Sequence, residues 1–308
     1  MMKILVTGGA GFIGSNLVFT LAERGHKITV VDNLTSGNKK NLKNFKDRFI
    51  EDDVSKPAVI EELKKEKFDI IFHEAANTDT TFKNDEEMFR ANVDGYKNIL
   101  SIADISRSAV VYASSAATYG RGKSPMNEDQ KPDPLNAYAV SKKMMDDITK
   151  EEIKRGTFPI IGLRYFNVYG PRESFKGKSS SMIYQLYLQM KAGKRPRIFK
   201  YGEQKRDFIY VKDVVSANIM AMEKTLKGES GIFNVGTARA ESFNKLVQEL
   251  NKNLGTNYNP EYFDNPYGFY QNVTEADMML SEKNLGFRTE YDIEKGIADY
   301  VKYLINCG

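Results

Sequence analysis

A short apolar run at residues 4–7 passes directly into Gly8, and Gly11 and Gly14 follow at three-residue spacing as a helical pattern opens at Phe12. Few arrangements accept that order. A strand that ends in glycine and feeds a helix predicts a tight β–α turn. Glycine permits positive φ and lets a backbone approach another group closely. The helix beyond presents unpaired N–H groups and a partial positive charge, which suits a pyrophosphate. The same turn could bind nothing, so its context has to decide. Asp32 closes the next strand, 18 positions beyond Gly14. An acid there can hold the hydroxyls of an adenosine ribose.

The next residues repeat this alternation. Strands are predicted at 28–31, 48–50, 70–72, 110–113 and 160–165. Helices are predicted at 12 to about 24, 57–65, 86–104 and 136–154. Strands alternating with helices imply right-handed crossovers and a parallel sheet covered on both faces. Beyond Pro171 the pattern loosens. Residues 172–181 are polar and read as a loop, a helix is predicted at 182–191, and short β elements at 209–210 and 231–235. Phe243, Leu246, Val247 and Leu250 have helical spacing, as do Ile293, Ile297, Tyr300, Val301 and Leu304, and both stripes read as packing faces. The expected fold is α/β: a Rossmann-like doubly wound parallel sheet with a smaller, interleaved C-terminal α/β lobe for substrate. Its expected bounds are 1–171 for the dinucleotide-binding part, with returning segments near 207–237, and 172–206 with 238–308 for the lobe.

Composition removes several classes. Hydrophobic residues make up 41% of 308, enough for a large core, yet no stretch approaches 18 consecutive apolar residues, so no membrane span is expected. The chain enters a strand by residue 4, leaving no room for a signal peptide, and its single Cys307 fits a reducing cytoplasm. The net charge of +4 is interspersed rather than massed, so no nucleic-acid partner is expected. With only His26 and His73, a histidine-rich metal site is excluded and no metal is expected. Acid–base work must fall to tyrosine, lysine or carboxylates.

Tyr138 and Lys142 supply a candidate. Four apart on a predicted helix, they face the same way. Bringing a phenol from its ordinary pKa of about 10 to near 7 takes roughly 4 kcal/mol of phenolate stabilisation. A lysine ammonium and a nicotinamide cation could supply much of it. Ser115, ending the strand at 110–113, could hydrogen-bond the same substrate oxygen. Asp53 could accept from an adenine amino group or cap the next helix. Lys39 and Lys40 could attract a 2′-phosphate or remain solvated loop charges, while Asp32 favours a cofactor without one.

The glycine turn, the segment Tyr112-Ala113-Ser114-Ser115-Ala116-Ala117-Thr118-Tyr119-Gly120, the Tyr138/Lys142 pair, and Arg164-Tyr165-Phe166-Asn167-Val168-Tyr169-Gly170-Pro171-Arg172 together resemble the extended short-chain dehydrogenase/reductases. Arg206-Asp207-Phe208-Ile209-Tyr210-Val211 adds a mark of the nucleotide-sugar branch. Residues 74–81, Pro171-Arg172-Glu173 with Lys176, 231–243 and 265–276 are similar, as a set, to the ADP-glyceromanno-heptose 6-epimerases of lipopolysaccharide inner-core synthesis.

That resemblance implies a bound NADP, with NAD the alternative. It implies transient oxidation of C6 of ADP-heptose to a ketone and return of hydride to the opposite face, and a homo-oligomer. It assigns Tyr138 and Lys176 as the two proton-transfer groups, with Lys142 and Ser115 beside them. Phe12, Ile13, Asp32, Asn33, Lys39, Glu74, Ala75, Ala76, Asn77, Thr78, Asn92 and Val168 would meet the cofactor. Ser115, Asn167, Lys178, Gln185, Phe199, Arg206 and Tyr270 would face the sugar nucleotide. Two departures touch that pocket: Lys178 stands where the family often has serine, and the stretch 199–206 is one residue shorter than the family pattern. A UDP-hexose 4-epimerase using NAD would share the fold, Tyr138 and Lys142 without needing Lys176. A 4,6-dehydratase would want an acidic pair where Ala116-Ala117-Thr118 stand. A non-catalytic dinucleotide binder would tolerate a damaged Ser/Tyr/Lys set, and this set is intact.

Overall fold

In a computed structural model, which describes residues 1–266 and 271–307, the glycine turn sits at the middle of a seven-stranded parallel sheet. The elements run β1 (Lys3–Thr7), α1 (Phe12–Glu23), β2 (Lys27–Asp32), β3 (Arg48–Glu51), α2 (Pro57–Leu63), β4 (Ile70–His73), α3 (Asp85–Phe89), α4 (Gly95–Ser106), β5 (Ala109–Ser115), α5 (Ala137–Arg155) and β6 (Ile160–Tyr165). Then follow β7 (Asn167–Tyr169), α6 (Met182–Lys191), β8 (Arg197–Phe199), β9 (Lys205–Tyr210), α7 (Val211–Thr225), β10 (Gly231–Val235), β11 (Ala240–Ser242), α8 (Phe243–Leu254), β12 (Glu261–Phe263), β13 (Val273–Thr274), α9 (Met279–Leu285) and α10 (Ile293–Cys307).

The large sheet has the order β10-β6-β5-β4-β1-β2-β3. Its strands are apolar on both faces because both are covered. Ile4 and Val6 of β1 pack with Leu17, Val18 and Leu21 of α1. Leu5, between them, points to the opposite core with Ile99 of α4 and Met145 of α5. The order reverses between β1 and β4. The chain leaves β1 for one face and β4 for the other, so a crevice opens at their carboxyl ends, where such sheets bind ligands. Gly8 and Glu74 stand at its two lips. Gly8 N–H bonds to the Val31 carbonyl at 2.8 Å and Glu74 N–H to the Thr7 carbonyl at 3.1 Å.

Beyond β6 a second set of strands assembles. β9 pairs with β7, β11 and β13, and β8 pairs with β12. α6, α8 and α10 close a third core around Tyr169, Leu186, Phe208, Leu246, Ile297 and Tyr300, and the two predicted helical stripes pack there. Of the stretch 207–237, α7 and β10 cover or join the large sheet, whereas β9 lies in the small one.

The structure corrects two local expectations and adds a helix. The helix predicted over 86–104 is broken into α3 and α4 by a π turn, Arg90–Asp94. The stretch 172–181 is not plain loop but holds a short 3₁₀ segment, Ser174–Ser179, kinked at Gly177. The helix α7 went unassigned because its buried face mixes Ala217, Asn218 and Thr225 with the aliphatic residues, which blurs the stripe. Among the described residues no helix is long and apolar enough to cross a membrane.

Candidate active site

The crevice holds a cavity of about 360 Å³, walled by the glycine turn, the carboxyl ends of the central strands and the start of α5. Gly8 adopts φ +70°, and a Cβ there would strike the Ala75 backbone nitrogen at 2.5 Å. A Cβ on Gly14 would lie 2.2 Å from the Gly8 carbonyl oxygen. Gly11 caps α1 with no side-chain acceptor, and the first turn carries no acid. The leading N–H groups of α1 therefore face the cavity without a protein anion to satisfy them. Such a cradle fits a dinucleotide pyrophosphate.

At one end the cavity meets Asp32, Asn33, Thr35, Ser36 and Asp53. Asp32 is nearly buried, and its two oxygens accept from Ala10 N–H (3.0 Å) and Leu34 N–H (2.8 Å). Burial raises its pKa and those bonds oppose the rise. Asp53 does not cap the next helix, whose N-cap is Lys56 without a side-chain bond. It lines the cavity and accepts from Asn33 Nδ2 (3.2 Å), and its other oxygen takes Ser55 N–H (2.8 Å). Lys39 lies outside the cavity wall, paired with Glu51 at 2.5 Å over the ring of Phe49. Thr35, Ser36 and Arg90 line the wall and were not singled out in sequence, although Thr35 and Ser36 sit in the polar run just after Asp32.

Glu74, Ala75, Ala76, Asn77 and Thr78 form the opposite lip. They belong to no strand, and beyond Glu74, whose N–H bonds to β1, Asn92 holds the backbone. Its Oδ1 accepts from Asn77 N–H (2.7 Å), and its Nδ2 donates to the Asn77 carbonyl (3.0 Å) and to Ser141 Oγ (2.9 Å). Asn92 is fully buried behind the wall rather than in it. The π turn that carries it adds a residue to the helical ladder, a distortion frequent at functional sites.

At the other end Tyr138, Lys142 and Ser115 come together, with Val168 nearby. Asn136 starts α5 by accepting Ala139 N–H (2.9 Å), which fixes the register of Tyr138 and Lys142 one turn apart. Lys142 is 1% exposed and donates to the Ala113 carbonyl at 2.7 Å. Burial pulls its pKa down to about 8, while Glu74 and Asp146 hold it up. Asp146 is itself locked by the buried Arg164 at 2.9 Å and by the Tyr112 hydroxyl at 2.8 Å. Tyr138 is pushed above its ordinary pKa by burial, and the hydroxyl of Ser115 opposes that. Glu74 accepts from the Tyr165 hydroxyl (2.9 Å), and burial pushes its pKa up to about 7. In the protein alone the phenol is therefore neutral at physiological pH. Deprotonation needs further positive charge in the cavity, which an oxidised nicotinamide would bring.

Lys176 reaches the same cavity from the 3₁₀ segment, with its Nζ 5.4 Å from the centre of the Phe12 ring. Burial lowers its pKa and Glu173 opposes the fall. The remaining expected residues do not line this cavity. Gln185 and Phe199 line a second one, of about 770 Å³, with Phe243, Phe263 and Gln204. Gln204 Nε2 is buried there without a hydrogen-bond partner. Lys178 is exposed and its carbonyl accepts from Gln185 Nε2 (3.2 Å). Asn167 Nδ2 donates to the Asp207 carbonyl (3.1 Å), and Arg206 Nη1 donates to the Lys205 carbonyl (2.7 Å). Asp207, fully buried, takes Thr237, Ala238 and Ala276 N–H groups, and its pKa is pushed up to about 6 by burial. Tyr270 lies outside the described residues.

Comparisons agree with this geometry. Residues 4–236 match the model of the NAD dependent epimerase/dehydratase family. An ADP-L-glycero-D-manno-heptose-6-epimerase of Brachyspira hyodysenteriae is 39% identical over 316 residues, covering 99% of this chain and 98% of that protein. The crystal structure of the Helicobacter pylori ADP-L-glycero-D-manno-heptose-6-epimerase superposes with a TM-score of 0.93 at 39% identity, covering 99% of this chain and 96% of that one. The UDP-glucose 4-epimerase of Thermotoga maritima gives 0.92 at 30% identity, covering 99% of each chain. The chain is thus an isomerase of the nucleotide-sugar type that works with a nicotinamide cofactor. It belongs to the NAD dependent epimerase/dehydratase family.

Proposed function

We propose that the protein interconverts the C6 epimers of ADP-glycero-manno-heptose, with NADP as its resident cofactor. The observation that carries this is one cavity bearing a pyrophosphate cradle, the Tyr138–Lys142 pair and a second amine, Lys176. Epimerisation at a carbinol needs a proton-transfer group for each of two orientations, and a 4-epimerase does not need Lys176. The 39% identity to heptose epimerases supports the same substrate.

In this reading the nicotinamide would accept hydride from C6 and later return it to the opposite face. Tyr138 takes the hydroxyl proton in one orientation, with Lys142 holding the phenolate by its charge and Ser115 donating to the same oxygen. Lys176 exchanges the proton in the other orientation, its lowered pKa making the neutral amine accessible. The helix start at Phe12 and Ile13, with Gly8, Gly11 and Gly14, holds the pyrophosphate. Asp32, Asn33 and Asp53 hold the adenosine, and Lys39 would reach a 2′-phosphate only by leaving its partner Glu51. NADP rather than NAD rests on the likeness to heptose epimerases, since Asp32, with each oxygen accepting one backbone N–H, taken alone favours a cofactor without a 2′-phosphate. Lys178, Gln185, Phe199, Arg206 and Tyr270 of the substrate lobe, residues 172–206 and 238–308, together with Asn167 ahead of it, would face the nucleotide of the substrate. The resemblance brings with it a homo-oligomer, and the single cysteine a cytoplasmic setting.

The test is incubation with ADP-D-glycero-D-manno-heptose and chromatographic separation of the C6 stereoisomers. Conversion supports the reading. Inertness there, with turnover of UDP-glucose to UDP-galactose, replaces it with a 4-epimerase, the reading that the Thermotoga likeness favours. Dinucleotide released from purified protein and identified by mass decides between NADP and NAD.

A further inference from the structure

The acid that follows Arg172 has no part in the chemistry just described, yet it is fully buried. The Glu173 carboxylate takes hydrogen bonds from both ends of the segment that carries Lys176. Oε1 accepts from Gly170 N–H (3.1 Å) and the Ser181 hydroxyl (2.8 Å), and Oε2 accepts from Ser181 N–H (2.5 Å). The Glu173 carbonyl accepts Lys176 N–H (3.0 Å). Ser181 in turn caps α6, its Oγ accepting from Tyr184 N–H (3.2 Å). Residues 171–180 are thereby drawn into a loop with a single carboxylate at its neck.

That carboxylate is also the charge that bears on Lys176. The other titratable groups facing Glu173 are Tyr184 of α6 and Tyr300 of α10, both phenols kept neutral by raised pKa values. Lys176 is otherwise faced by the Phe12 ring, and it shares its cavity with Tyr138, Lys142 and Glu74. A carboxylate nearby favours the ammonium form of an amine, the more so where water is excluded.

We propose that Glu173 is a positioning residue for Lys176: it pins the neck of the loop that aims the amine and sets the pH at which that amine gives up its proton. The catalytic consequence rests on Lys176 being the second proton-transfer group. The electrostatic claim does not, and the experiment separates them. In Glu173→Gln the amide oxygen can keep Ser181 N–H and the amide nitrogen can donate to Ser181 Oγ, so the charge is gone and the neck gives up one bond, that from Gly170 N–H. Glu173→Asp keeps the charge and shortens the reach.

The acidity of Lys176 is read directly by labelling with trinitrobenzenesulfonate across pH and quantifying the modified peptide by mass spectrometry. The labelling midpoint should fall by about one pH unit in Glu173→Gln and stay at the wild-type position in Glu173→Asp. The limb of the epimerisation pH profile that Lys176→Met abolishes should move with it. An unchanged midpoint in a folded Glu173→Gln protein overturns the proposal. If that variant does not fold, a midpoint lowered in Glu173→Asp overturns it instead. Full epimerase activity in Lys176→Met, with the labelling shift still present, would remove the second base and leave the positioning role standing.

Discussion

The cofactor side and the substrate side of this molecule are built by different means. Around the pyrophosphate cradle the working groups are backbone: N–H groups at the start of α1, glycines without room for a Cβ, and the chain at Glu74–Thr78 held by Asn92. The strands beneath are continuous and buried on both faces. Around the second cavity the working groups are side chains on α6, α8 and two three-residue strands, and β8 finds its partner β12 more than sixty residues later. A backbone site is specified by local sequence and tolerates little. A side-chain site is assembled from distant pieces and can be retuned one residue at a time.

Substitutions on the two sides should therefore fail differently. Tyr138→Phe should cut turnover by about 10²–10⁴-fold while the dinucleotide stays bound, since only a proton-transfer group is removed; single-turnover epimerisation alongside cofactor content measures both. Gly14→Ala should cost about 3 kcal/mol or more in stability and release cofactor, because its Cβ meets backbone at 2.2 Å. Denaturant unfolding and absorbance near 260 nm read that out, and retention of both would break the contrast. Phe199→Ala, across the divide, should raise KM about tenfold with a smaller change in kcat, the loss of roughly 1–2 kcal/mol of aromatic contact.

The smallest effect is one of pH. Glu74 has a folded pKa near 7 against an ordinary 4.5. A raised carboxyl favours the fold below the unfolded value and loses that benefit as pH rises through the folded one. Glu74→Gln should match wild-type stability at pH 4 and exceed it at pH 8, by about 1–2 kcal/mol once solvent in the cavity is allowed for. Thermal melts at the two pH values check the sign.

The same contrast governs what could be read in advance. The β1–α1 turn, Asp32 and the Tyr138/Lys142 spacing are legible because each depends on neighbours within one strand, turn or helix. Asn92 escaped as a splint because its partner Asn77 is fifteen residues away and the π turn leaves no mark in hydrophobic spacing. Lys176 is one polar residue in a polar stretch, and only the family pattern picked it out before its loop was seen folded onto Phe12. Gln204 and Thr35 carry no periodic or motif signal of their own. Lys39, chosen for its charge, spends that charge on Glu51, whose strand position local sequence does not relate to it. The buried Arg164–Asp146 pair sits in a motif visible in the sequence, but its partner lies on α5 and had to be located in space.

β10 has a further consequence. It forms the outermost strand of the large sheet beside β6, yet it follows β7, α6, β8, β9 and α7 in the chain. During synthesis β6 waits as an open ladder of N–H and C=O groups until residues 231–235 have emerged from the ribosome. In that interval a nascent chain is exposed to mispairing with its neighbours, although its glycine turn and Tyr138 are already made. Truncations that stop short of Val235 should accordingly aggregate rather than yield a smaller working enzyme.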